Sequence, residues 1–152
     1  MQKPNAAETE MPGTSPMSGG CACGAVRFMA QGEPNRVGLC HCFDCRKHTG
    51  APFGAFAIYP SAQVTVTGDE PGVFASSANG RRFFCRSCGS PLFGRDEGSD
   101  EIDLLIGAFD ATSLFAPTYE LWTSRREDWL PEIPCIRHGY SQNRAGALPT
   151  AT

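Results

Sequence analysis

Cys40-His41-Cys42-Phe43-Asp44-Cys45 places three sulfurs within six residues. One turn of backbone brings sulfurs two and three residues apart to the same side, so the three thiolates can converge on one cation. Zinc prefers a tetrahedron, and structural sites fill all four corners. Three cysteines therefore leave one corner, to be filled from elsewhere in the chain or kept open for chemistry. Two further groups share this character: the Cys21/Cys23 pair in Gly20-Cys21-Ala22-Cys23-Gly24, and the Cys85/Cys88 pair in Cys85-Arg86-Ser87-Cys88-Gly89. Their flanking glycines let the backbone fold tightly around an ion.

Seven of the eight cysteines fall into these groups, and Cys135 stands alone. Two pairs make one complete four-cysteine site, and the triple makes a second, incomplete one. The pairing that leaves the triple intact joins Cys21 and Cys23 to Cys85 and Cys88, closing a long loop as a structural zinc does. The residues alone leave open the rival in which Cys40/Cys42 or Cys42/Cys45 completes a site with another pair. They also leave open a triple closed by His41, His48, Cys135 or His138. Without a partner at ligand spacing, Cys135 reads as a small hydrophobe or an inert thiol.

The elements that position these groups read as β. The stretch 25–31 alternates, with Val26 and Phe28 on one face and Arg27 on the other. The apolar run 53–59, ended by Pro60, has the length and composition of a buried strand. Residues 64–67 read as a half-buried strand, 73–75 and 81–84 as a hairpin, 91–95 and 102–106 as two more strands, and 118–122 as a last one. Residues 46–50 form a short helical turn ended by Gly50. Ser124 is placed to cap a turn over 125–129, with Glu127 as the reciprocal residue, and Pro131 and Pro134 preclude a longer helix. The expectation is a mainly β, antiparallel domain stapled by zinc, with short helical turns.

At 152 residues and 41% hydrophobic, the chain suits one domain with a modest core. Residues 1–18 and 139–152 lack apolar periodicity and read as disordered tails around a domain at 19–138. A net charge of -3 argues against a protein that holds nucleic acid mainly by neutralising phosphates, although local basic clusters such as Arg81-Arg82 remain allowed. No apolar run approaches membrane-spanning length and none resembles a secretion signal, so a cytoplasmic location is expected. In that reducing setting, paired cysteines fit metal ligation better than disulfides.

Three motifs in order carry a resemblance: Gly19-Gly20-Cys21-x-Cys23-Gly24-Ala25-Val26-Arg27-Phe28, then Cys40-His41-Cys42-x-x-Cys45-Arg46-Lys47-x-Thr49-Gly50, then Phe84-Cys85-x-x-Cys88-Gly89-Ser90-Pro91-Leu92-Phe93. From about Gly19 to Trp129 the chain resembles the glutathione-dependent formaldehyde-activating enzyme family. The resemblance implies a β-tent fold with two zinc ions per chain, Cys21, Cys23, Cys85 and Cys88 holding the structural one and Cys40, Cys42 and Cys45 the active-site one. It implies carbon-sulfur lyase chemistry, the reversible formation of S-hydroxymethylglutathione from glutathione and formaldehyde. One departure is Glu120, ahead of Leu121-Trp122, where the family pattern carries His. If that His assists the chemistry, this chain takes another substrate.

Charge supports such chemistry. Three thiolates leave Zn²⁺ with a formal charge of -1, a poor Lewis acid for ionising water but suited to holding a substrate thiol as thiolate. A glutathione thiolate and its carboxylates add negative charge, so cations must stand nearby. Arg46 and Lys47 are the adjacent substrate-binding candidates, with Arg81, Arg82, Arg125 and Arg126 available from other segments. Without a metal beside them, Arg46 and Lys47 would be ordinary solvated charges, and Trp122 and Trp129 read first as packing residues. Two other readings share these features: a zinc-stapled module that binds protein or nucleic acid, and a glutathione carrier without turnover.

Overall fold

The structure is a computed structural model that describes residues 15–133 and the backbone of 137–139. Its elements in chain order are β1 (Met17–Gly20), β2 (Val26–Ala30), β3 (Arg36–Cys40), α1 (Phe43–Thr49), β4 (Gly54–Pro60), β5 (Val64–Gly68), β6 (Gly72–Ala75), β7 (Gly80–Phe84), β8 (Pro91–Asp96), β9 (Glu101–Leu105), β10 (Tyr119–Leu121) and β11 (Arg137–Gly139). They form a three-stranded sheet ordered β1-β2-β5 and an eight-stranded sheet ordered β11-β10-β3-β4-β9-β8-β7-β6. The mainly β architecture is as expected.

Alternation along β2 buries Val26, Phe28 and Ala30 and leaves Met29 exposed. The buried face meets Val37, Ala57, Tyr59, Leu92, Phe93, Ile102 and Leu104 of the large sheet, forming the main core between the two sheets. Phe28 stands edge-on to Phe109 at 5.0 Å, which closes one end of this core. A smaller cluster, Phe56, Ile58, Leu105, Tyr119, Cys40 and Cys45, lies on the opposite face of β3 and β4. The three-cysteine run belongs to this second layer.

Several expectations needed revision. The first strand begins at Met17, inside the expected tail, because Met17 to Gly20 pair antiparallel with Ala30 to Arg27. The helical turn expected at 46–50 is a helix from Phe43 that includes Cys45, capped by Gly50 in the left-handed conformation. The strand at 64–68 is an edge strand in which only Val64 is partly buried. Strand β10 runs parallel to β3, an exception to the antiparallel pattern. In place of the helical turn expected over 125–129, a 3-10 turn spans Thr123–Arg125 and contains Ser124, and Glu127 pairs with Arg46. Cys135, the His138 side chain and the terminal stretches 1–14 and 140–152 lie outside the described residues.

Candidate metal centres

The four-cysteine cluster joins two turns whose facing cysteines, Cys23 and Cys85, are 62 residues apart in sequence. Each is closed by its glycine: the Gly24 N–H donates to Cys21 O at 3.1 Å and the Gly89 N–H to Cys85 O at 2.9 Å. Both glycines sit at positive φ, +80° and +75°, a conformation costly to residues with a Cβ. Ser90 ties the turns together, because its hydroxyl accepts from the Ala22 N–H at 3.1 Å and lies 3.2 Å from Cys88 Sγ. The sequence reading passed over Ser90, although its place directly behind Cys88-Gly89 was the available signal.

Sulfur spacing tests the fit of zinc. With Zn–S bonds of about 2.3 Å, the edges of a tetrahedron measure about 3.8 Å. Cys21 Sγ lies 3.5 Å from Cys23 Sγ, which lies 3.7 Å from Cys85 Sγ. Cys21, Cys23, Cys85 and Cys88 bring their sulfurs within 4.8 Å of one another, as do Cys40, Cys42 and Cys45 separately. None of these seven is in a disulfide. Both clusters therefore have donor sets and spacings that could hold a metal ion, consistent with zinc. The pairing that leaves the triple intact is the one the fold brings together.

The triple is built at the junction of β3 and α1. Cys40 ends the strand, Cys42 is the N-cap of the helix, and Cys45 sits one turn in, where it is buried. The Cys45 N–H points at Cys42 Sγ, 3.4 Å away. Hydrogen bonding from Cys40 and then Cys45 pushes the Cys42 thiol down to about 2, whereas hydrogen bonding with Cys42 pushes Cys40 up to about 11. Cys45 is raised as well, by Cys40 first and then Cys42. Three sulfurs this close give up one proton readily and resist losing the others until a cation shares the charge. Among the described residues, no histidine, carboxylate or further thiol joins the three.

The six candidate cations separate clearly. Arg46 pairs with Glu127 and donates to Arg125 O at 3.2 Å, so it clips the 122–127 segment to α1. Arg81 pairs with Glu97 at 2.7 Å, and Arg126 pairs with Glu120. Lys47 is exposed. Arg82 is the cation brought to the sulfurs: it is buried, its Nη2 lies 3.8 Å from Cys45 Sγ, and its Nε donates to Ser76 Oγ at 3.2 Å. Gly94 faces Arg82 across β7 and β8, and a Cβ there would stand 2.9 Å from Arg82 Nη1. The absence of a side chain at Gly94 leaves room for the guanidinium. Arg125 lies 4.3 Å from the centres of both the Phe43 and Trp122 rings.

Glu120 does not line the triple. It pairs in register with Leu39, whereas Leu121 pairs with Cys40, so strand alternation sends Glu120 to the face away from Cys40. There it is fully buried beside Arg126, with His41 Nε2 at 3.7 Å from its Oε1. Burial, and then the charges of Arg126 and Arg46, hold His41 below its ordinary value, so the imidazole is neutral near pH 7. The His41 N–H donates to Leu121 O at 3.0 Å, which locks the three-cysteine run to β10.

A cavity of about 740 Å³ opens beside the four-cysteine cluster, lined by Cys23, Arg27, Phe53, Ser90, Leu105 and Asp110 among others. The three sulfurs of the triple are not part of its wall. No helix of the described residues is long and apolar enough to cross a membrane.

Comparison with known proteins places this geometry. A protein of Schizosaccharomyces pombe named an uncharacterized lyase is 35% identical over 75 residues, covering 49% of this chain and 54% of its own length. A Fusarium vanettenii protein, provisionally named a glutathione-dependent formaldehyde-activating enzyme, is 33% identical over 92 residues, covering 56% of this chain and 50% of its own. The chain thus spans about half the length of these curated relatives. A crystal structure of a Rhodobacter sphaeroides protein shares the fold with a TM-score of 0.54 at 19% identity, over 64% of this chain and 92% of that one. The family model described as glutathione-dependent formaldehyde-activating enzyme matches residues 16–125, which include both cysteine clusters, Arg82 and the β10 strand. The chain belongs to the glutathione-dependent formaldehyde-activating enzyme family.

Proposed function

We propose that the protein is a zinc-dependent carbon-sulfur lyase that forms or cleaves S-hydroxymethylglutathione-type adducts at Cys40, Cys42 and Cys45, with Cys21, Cys23, Cys85 and Cys88 holding a structural zinc. The observation that carries this reading is three converging sulfurs, with no fourth donor among the described residues and a buried guanidinium 3.8 Å from one of them. Zinc held by the triple supplies a cation that keeps a substrate sulfur ionised at neutral pH. In the synthetic direction the glutathione sulfur adds to the formaldehyde carbon. A carbon-sulfur bond forms, the carbonyl electron pair moves to oxygen, and that oxygen takes a proton from water. Cleavage is the reverse.

The chain's own residues hold the reacting region. Arg82 offsets the negative charge of the sulfurs from the sheet side. The Phe56, Ile58, Leu105 and Tyr119 side chains keep water from the inner wall. Arg46, through Glu127 and Arg125 O, fixes the 122–127 segment over α1.

The test is calorimetric. Glutathione should bind the zinc-loaded protein more tightly than S-methylglutathione, which cannot deliver a thiolate, and NMR should detect faster exchange between formaldehyde and S-hydroxymethylglutathione in its presence. Equal affinities for the two peptides would show that the sulfur is not engaged by the metal.

A further inference from the structure

Arg125 is held unlike any other cation of the described chain. Its guanidinium lies over the Phe43 ring and over the Trp122 ring, 4.3 Å from each centre. A planar guanidinium against aromatic faces loses water from its own faces and keeps its N–H groups directed outward along its edges. Those edges are the donors that match a carboxylate in a bidentate pair. Arg46, Arg81 and Arg126 each spend that capacity on Glu127, Glu97 and Glu120. No carboxylate of the described residues occupies the edges of Arg125.

Its surroundings place it at the three-cysteine site. Phe43 follows Cys42 directly and opens α1, and Trp122 packs against the cluster that contains Cys40 and Cys45. The Arg125 carbonyl accepts from Arg46, the residue after Cys45. Trp122 adopts φ 57° and ψ 42°, the left-handed region that a bulky residue enters only where its surroundings impose it. This turn is what lays the indole against the Arg125 guanidinium, and it is locked by the Arg125 N–H donating to Trp122 O at 2.9 Å.

From this geometry we propose that Arg125, clamped by Phe43 and Trp122, anchors a carboxylate of the thiol substrate beside the three-cysteine site. The inference rests on the thiol-adduct reading and adds to it a specificity: the preferred thiol carries a carboxylate, and thiols without one bind weakly. Clamping the side chain before substrate arrives removes most of the rotamer freedom that an arginine otherwise loses on binding.

The experiment uses S-methylglutathione and its dimethyl ester as probes of the full-length zinc-loaded protein, since neither delivers a thiolate. The outcome is thus independent of whether the sulfur reaches the metal. Wild type should bind the acid more tightly than the ester, and Arg125→Met should weaken the acid by roughly tenfold or more while leaving the ester unchanged. Arg125→Lys should recover part of the loss, because a point charge replaces a planar fork. Phe43→Leu, at an exposed position, removes one face of the clamp and should give a severalfold loss for the acid alone, a comparison that stands even where Arg125→Met fails to fold. Equal binding of acid and ester by wild type, or a loss in Arg125→Met that is the same for both probes, overturns the proposal.

Discussion

Arg82 Nη2 stands 3.8 Å from Cys45 Sγ, reaching it through a gap that exists because the residue across the strand pair is Gly94. A buried guanidinium is stable only where its charge is matched, and a cluster of thiolates supplies that match. The two groups therefore depend on each other. Arg82→Gln should lower zinc affinity at the triple by roughly tenfold, read by chelator competition, with Arg82→Lys intermediate. Gly94→Ala should act in the same direction with little effect on folding, because the atom it displaces is the end of a long side chain. Unchanged zinc affinity in all three variants would remove Arg82 from the site.

The two cysteine clusters should respond differently to mutation. Cys21, Cys23, Cys85 and Cys88 join distant segments, so on the proposed reading metal binding there would be folding free energy, of order 10 kcal/mol in small zinc domains. Any one replaced by Ser should give insoluble or partly unfolded protein. Cys42→Ser should leave a folded chain with about one zinc instead of about two, since its ion closes only a short loop. Equal thermal losses for Cys42→Ser and Cys88→Ser would make the triple a second structural site.

Glu120 is fully buried against the Arg126 guanidinium, with the neutral His41 imidazole 3.7 Å from its Oε1. Glu120→Ala should cost about 3 kcal/mol, measured by denaturant unfolding, because it takes away the buried carboxylate of Arg126 and leaves that guanidinium with the exposed Glu132. The same variant should leave metal binding at both cysteine clusters unchanged, since the carboxylate lies on the face away from Cys40. Loss of one zinc without loss of stability would contradict that placement.

The pair Arg27–Asp110 fastens β2 to the segment after β9, and the Ser18 hydroxyl donates to the same carboxylate at 2.7 Å. Hydrogen bonds from Arg27, and then Ser18, hold Asp110 below the usual carboxylate range. The unfolded chain takes up this proton first as pH falls. The stabilisation is therefore complete above the ordinary value of about 4 and disappears as pH drops through the lower folded value. Asp110→Asn should melt slightly below wild type at pH 7, with the gap closing at pH 3. A gap that does not change with pH would show that the pair contributes no charge-dependent stability.

Much of this site was legible in the sequence because metal ligation leaves local marks. Cysteines at spacings of two and three, with glycines behind them, are readable without knowledge of tertiary contacts, and so is the alternation of Val26 and Phe28. The cation at the sulfurs was not legible. Arg82 lies 37 residues from Cys45 and reaches it through a cross-strand register that a one-residue slip would undo, so it looked no different from Arg81. Arg46, adjacent in sequence, was the more obvious candidate and instead pairs with Glu127. The role of Glu127 was missed for the same reason: a capping pattern is local, whereas its partner comes from α1. The parallel placement of β10 was likewise hidden, since three residues carry too little periodicity to reveal their direction.

That parallel strand has a consequence for the order in which the molecule assembles. The His41 N–H is satisfied by Leu121 O, about eighty residues later in the chain, so the wall of the three-cysteine site closes over one of the longest loops in the domain. The hairpins β3–β4 and β6–β7–β8, together with the four-cysteine staple, need only residues up to Asp96. During synthesis the three sulfurs emerge early and lack the β10 side of their wall until Tyr119–Leu121 is made. In that interval the run is a more open thiol cluster, accessible to metal and to oxidants alike, and docking of Tyr119–Leu121 narrows that access without closing it, since Cys42 stays partly exposed.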